Sequence, residues 1–132
     1  MPSLLALTAA VEGATALLLL AVPAVVLAFL FGWAPVSPEA VLMGRVSGAG
    51  LTAISLASWL ARDDGGTRAQ LGVLCGVLTY NLLAAVLLAL AGWVLSMSGP
   101  LLWPAVAYHA ALSVLSTGVC VKQSMTSEGG RP

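Results

Sequence analysis

Four long apolar stretches govern what this chain can fold into. They cover residues 4–31, 38–61, 69–95 and 101–121. A helix needs about 20 mostly apolar residues to cross ~30 Å of bilayer hydrocarbon, and each stretch is long enough. Their continuity is unlike the alternating segments of about 10 residues that build a membrane barrel. The pattern predicts an all-α integral membrane bundle of four transmembrane helices. It forms one domain over residues 1–121 with a polar tail over 122–132.

Composition narrows the function classes. Charged residues are 8% of the chain, against about 25% in a soluble domain. Five Lys and Arg are balanced by five Asp and Glu, too few cations for a nucleic-acid-binding face. The spans leave no room for a separate soluble domain. No CxxC, HExxH or phosphate-loop spacing is present, so the reading is non-enzymatic, with no cofactor, no metal and no catalytic residue.

The breaks between stretches carry turn chemistry. Gly32, Pro35, Ser37 and Pro38 punctuate the first. Residues 62–68, Arg-Asp-Asp-Gly-Gly-Thr-Arg, make a charged turn, and Pro100 opens the fourth helix. Pro23 falls inside the first stretch, where its missing N–H predicts a kink. That stretch has no Lys or Arg before it and carries Glu12, so it reads as a retained helix, not a signal peptide. The tail reads as frayed.

Cations set the expected orientation. Arg62, Arg68, Lys122 and Arg131 all fall on the side shared by both termini. The positive-inside rule makes that side the cytoplasm. Trp33, Trp93 and Trp103 sit at the opposite edge and Trp59 at the cytoplasmic one, as interfacial tryptophans do. Cys75 and Cys120 are placed at different depths, next to a reducing compartment, which argues against a structural disulfide.

Each span contributes one strongly polar residue: Glu12, Arg45, Asn81 and His109. At 1.5 Å per residue, counting from the cytoplasmic edge puts Glu12 at roughly 13 Å and Asn81 at roughly 18 Å, and counting back from the far edge puts His109 at roughly 17 Å and Arg45 at roughly 20 Å. Each heads a stripe at helical spacing: Thr8, Glu12, Thr15; Arg45, Ala49, Thr52, Ser55; Asn81, Ala84, Ala85 beside Tyr80; His109, Ser113, Ser116, Thr117. Turned inward, these stripes give a polar centre in which Glu12 and Arg45 pair and Asn81 and His109 satisfy them. Thr15, Thr52, Tyr80, Tyr108 and Ser113 are the candidate lining. The tyrosines are expected to pack with hydrogen-bonded hydroxyls. Gly44-xxx-Gly48 and Gly72-xxx-Gly76 are close-approach surfaces for helix packing.

Residues 11–15 (Val-Glu-Gly-Ala-Thr), 44–46 (Gly-Arg-Val), 78–82 (Leu-Thr-Tyr-Asn-Leu) and 99–104 (Gly-Pro-Leu-Leu-Trp-Pro) resemble segments of small, uncharacterised bacterial four-helix inner-membrane proteins. The architecture is loosely similar to the DoxX-like group. The resemblance spans the four helices and implies no reaction and no functional residue.

The first functional reading is an accessory or scaffold subunit in the lipid bilayer, packing as a homo-oligomer or within a larger membrane complex. The alternative is a small transporter, channel or carrier using the Glu12–Arg45–Asn81–His109 cluster, since intramembrane ionisable groups mark pathways. A weaker alternative is a redox subunit holding a cofactor on His109. A dry, mutually bonded centre favours the scaffold, and a hydrated one open to one side favours transport.

Overall fold

A computed structural model describes the backbone of residues 2–32 and 35–128 and the side chains of 3–32 and 35–122. It is all-helical, with α1 (Pro2–Ala21), α2 (Pro23–Phe31), α3 (Pro38–Ala61), α4 (Arg68–Trp93) and α5 (Leu102–Glu128). Among the described residues there is no strand. Four helices are long and apolar enough to cross a membrane: Ser3–Ala21, Pro38–Ala61, Arg68–Trp93 and Leu102–Lys122. The outer surface is correspondingly apolar, with Leu17, Leu60, Leu87, Trp93 and Val114 all exposed. A multi-pass membrane protein follows from both.

Pro23 breaks the first span at Val22, which leaves the helical region with φ −133° and ψ 53°. Pro23 then serves as a first-turn residue of α2, where a missing N–H is harmless. Ser37 and Thr67 cap α3 and α4, their hydroxyls accepting from the Ala40 and Gln70 amides at 3.3 and 3.2 Å. The α3–α4 loop turns at Gly65 and Gly66, both at positive φ. The buried Gln70 side chain ties it down, donating to the Ala61 carbonyl at 2.8 Å and accepting from the Gly66 amide at 2.9 Å. Its charges stay at the surface, with Arg62 paired to Asp63 at 3.2 Å and stacked 3.8 Å above the Trp59 ring.

The helices associate as two antiparallel pairs, α1 with α3 and α4 with α5, and the pairs meet along a thinner seam. Glycine makes the first pair close. A Cβ on Gly48 would stand 3.0 Å from the Ala16 carbonyl oxygen, and one on Gly44 3.1 Å from Pro23. Ser55 crosses the same interface, donating to the Ala9 carbonyl at 2.7 Å. At the end away from the termini the backbone itself closes the fold. The Leu101 and Ser98 amides donate to the Phe29 and Phe31 carbonyls at 3.0 and 3.4 Å, satisfying groups that the end of α2 leaves open. Trp93 and Trp103 pack there with ring centroids 5.4 Å apart.

Two expectations need correction. The tail is helical through Glu128, so α5 continues beyond the apolar stretch. The register of α4 and α5, set by Gly92 against Leu102 and Trp103, brings Cys120 level with Cys75, and no disulfide joins them. Trp33 and Arg131 lie outside the described residues.

Candidate functional site

Among the described residues the interior is polar on one side of the bundle only. The buried polar residues among those described are Thr8, Glu12, Ser58, Gln70, Asn81, His109, Ser113 and Ser116. All lie between the middle of the helices and the side carrying the termini and the α3–α4 loop, called here the terminal side. On the far side the buried residues among those described are Ala16, Leu19, Pro23, Gly44, Gly48, Leu51, Ala85, Ala91, Gly99 and Leu102, none with a polar side chain.

At mid-depth, α4 and α5 build the best-bonded part. His109 Nδ1 lies 2.7 Å from Asn81 Oδ1, and Asn81 Nδ2 donates to the Val77 carbonyl at 2.8 Å. With its amide nitrogen committed to Val77, Asn81 offers only an acceptor, so His109 Nδ1–H donates and Nε2 is left to accept a proton or a hydrogen bond. The Tyr80 and Tyr108 rings stand edge-on to the imidazole, with centroids at 5.6 and 5.2 Å. Tyr108 does not hold a hydrogen-bonded hydroxyl as the sequence suggested: its oxygen is buried without a partner. Ser113 is buried one turn along α5 and donates to the His109 carbonyl at 2.8 Å.

Glu12 enters from α1, 2% exposed, with Oε1 lacking a hydrogen-bond partner. Ala16, one turn further along the same face of α1, lies in the cluster against which Tyr80 packs, and that sets Glu12 beside the Tyr80–Tyr108–His109 group. The structure therefore brings together Glu12, Tyr80, Asn81, Tyr108, His109 and Ser113.

Arg45 is not part of this group. It is exposed on the outside of α3, and the ion pair with Glu12 is absent. The cause is a competition between faces of one helix. Arg45 follows Gly44 by a single residue, or about 100° around the axis. α3 turns its Gly44, Gly48, Leu51 and Ser58 face inward, because glycines let the α1 backbone approach. Arg45, Ala49 and Thr52 are thereby carried outward. Thr52 is not a lining residue, and its hydroxyl returns to the Gly48 carbonyl at 2.9 Å. Thr15 is half-buried and bonded likewise to Val11 at 2.9 Å. Thr52 borders an outer groove of about 400 Å³ between α1 and α3, with Ala9, Ala10, Ser55, Leu56 and Trp59.

Sequence reasoning missed one feature of the site. In lipid a helical hydroxyl is normally satisfied by the carbonyl one turn back. Thr15, Ser47, Thr52, Thr79, Ser113 and Thr117 all do this at 2.8–2.9 Å. Thr8, Ser58 and Ser116 do not: each is 0% exposed and its oxygen has no partner. They come from three helices. An unpartnered buried hydroxyl costs about 1–3 kcal/mol, so three of them in one region is not a stabilising arrangement. Only the spacing of Thr8 to Glu12, and of His109 to Ser113 to Ser116, hinted at it.

Among the described residues no group of three His, Cys, Asp or Glu side chains converges. Comparisons with known protein families, with curated proteins and with solved structures find no match to this chain.

Proposed function

We propose that the protein is a small carrier or channel that uses the buried group Glu12, Tyr80, Asn81, Tyr108 and His109. One observation carries this reading: a carboxyl oxygen buried at mid-depth without a hydrogen-bond partner and without Arg45 beside it. A structural centre would satisfy its own polar groups, since an unmatched group in hydrocarbon costs several kcal/mol. Here Glu12, Tyr108 and three hydroxyls retain bonding capacity, which a transported species can use. The membrane would be a bacterial inner membrane with both termini cytoplasmic, a reading supported by Arg62, Arg68 and Lys122 on the terminal side. Kinship with DoxX-like proteins belongs to the same proposal. The test is flux: proteoliposomes holding the full chain should move a small polar solute or protons faster than Glu12→Gln proteoliposomes. Equal flux at every imposed gradient removes the reading.

A second reading keeps the scaffold or accessory role, and a separate observation favours it. A Cβ on Gly72 or Gly76 would meet nothing within 4 Å, so this small-residue face of α4 is left over after the bundle has formed. Such faces support helix association in lipid, with a second copy or another membrane subunit. The two roles are compatible. The oligomeric state in nanodiscs, compared with that of Gly72→Leu and Gly76→Leu, tests this one.

A further inference from the structure

We propose that the species reaching Glu12 is the proton, and that it arrives from the terminal side only, along the buried polar groups of that half. This deepens the carrier or channel reading and rests on it for its purpose, though not for its test.

The path is built from register. α1 and α3 are antiparallel with Ser55 opposite Ala9 and Gly48 opposite Ala16, so Ser58 lies within about one turn of Thr8. α4 and α5 are aligned by Asn81–His109 and by Gly92 against Leu102 and Trp103, which sets Ser116 nearly opposite Val77. Val77 and Leu5 share one buried cluster, and Leu5 is on the turn of α1 that precedes Thr8. The three unpartnered hydroxyls thus occupy neighbouring turns near the terminal end. From Thr8 the next turn of α1 brings Glu12; from Ser116 the next turns of α5 bring Ser113 and His109. Hydroxyl, carboxyl, phenol and imidazole all both donate and accept, as proton relays in membranes require. Beyond this group Ala16, Leu19 and Leu51 form an apolar cluster with Val26 and Tyr80 packed against it. No buried polar side chain continues the path among the described residues.

The step is a transfer with no redox change. A proton leaves a hydronium ion on the terminal side, and water remains. Relayed inward, it forms an O–H bond on the Glu12 carboxylate to give the neutral acid; the reverse step restores the carboxylate and returns the proton to water on that side. The titratable side chains of the group around Glu12 are Tyr80 of α4 and Tyr108 and His109 of α5. α3 presents no titratable side chain to it, Arg45 being outside. The tight packing at Leu5, Leu74 and Val77 suits a proton better than a larger solute.

Infrared spectroscopy of the full chain in bilayers tests this. The Glu12 carboxylic acid band is assigned by its loss in Glu12→Gln, over a pH series acidic enough to produce it. On transfer to D₂O the band should shift while the helix amides are still protected. Thr8→Val combined with Ser116→Ala should slow that shift at least about tenfold. After a pH step outside sealed vesicles, only molecules with the terminal side outward should respond. The proposal is overturned by a Glu12 band absent at every pH, by exchange that waits for the amides, by no effect of removing the hydroxyls, or by equal response in both orientations. If exchange behaves as expected and proteoliposomes carry no flux, the proton path stands and the carrier reading falls.

Discussion

The two halves of the bundle are built on opposite principles. In the far half, backbone meets backbone: Gly99 lies against the Phe29 and Leu30 main chain, Gly48 against the Ala16 carbonyl, and Leu102 is wholly buried. Every buried side chain described there is apolar. In the terminal half the same helices enclose a carboxyl, an imidazole, an amide and several hydroxyls, with oxygens of Thr8, Glu12, Ser58 and Ser116 left unpartnered. One half is arranged for closure. The other carries polar groups whose burial opposes folding, which is the pattern expected where function sets the side chains.

The largest effect should come from breaking the closed half. A Cβ on Gly99 would overlap the main chain of Phe29 and Leu30, which cannot step aside. Gly99→Ala should therefore cost about 3 kcal/mol or more and sharply lower both expression and the melting temperature in detergent. Gly48→Ala comes next. Its Cβ would press on Ala16, Leu19 and Leu20 at 3.0–3.1 Å, at about 1–3 kcal/mol, and it should loosen α1 from α3 as read by crosslinking across that pair.

The halves also differ in how much of them the sequence disclosed. The spans were legible because hydrocarbon thickness fixes their length, and the break at Pro23 because a proline N–H cannot be supplied. The inward faces of α1, α4 and α5 were legible because one polar residue on an apolar helix, Glu12, Asn81 or His109, marks the face that leaves lipid. α3 was not, since it offers two non-apolar faces. Gly44 and Gly48 took the interface, and Arg45 was displaced. Nor could spacing show that Thr8, Ser58 and Ser116 forgo the usual carbonyl, because that depends on side-chain rotamer.

A smaller effect tests the displacement of Arg45. With that side chain outside the bundle, Arg45→Gln should change stability by no more than about 0.5 kcal/mol. Its combination with Glu12→Gln should be additive within about 0.5 kcal/mol in a double-mutant cycle. Strong rescue of one by the other would restore the buried ion pair. The smallest effect on folding belongs to Gly72→Leu and Gly76→Leu, at positions where a Cβ meets nothing within 4 Å. The melting temperature should hold while self-association, measured by energy transfer between labelled copies in bilayers, declines.

The central contrast turns on whether the buried hydroxyls of the terminal half hold the fold or serve the carboxyl. The stability of the triple variant Thr8→Val, Ser58→Ala, Ser116→Ala, measured by denaturation in mixed micelles against the unaltered chain, decides it directly. Hydroxyls without partners contribute no bond and are costly to bury, so the variant should be at least as stable as the unaltered protein. A loss of more than about 2 kcal/mol would mean that these hydroxyls are bonded within the fold, and the terminal half would then be a structural core like the far one.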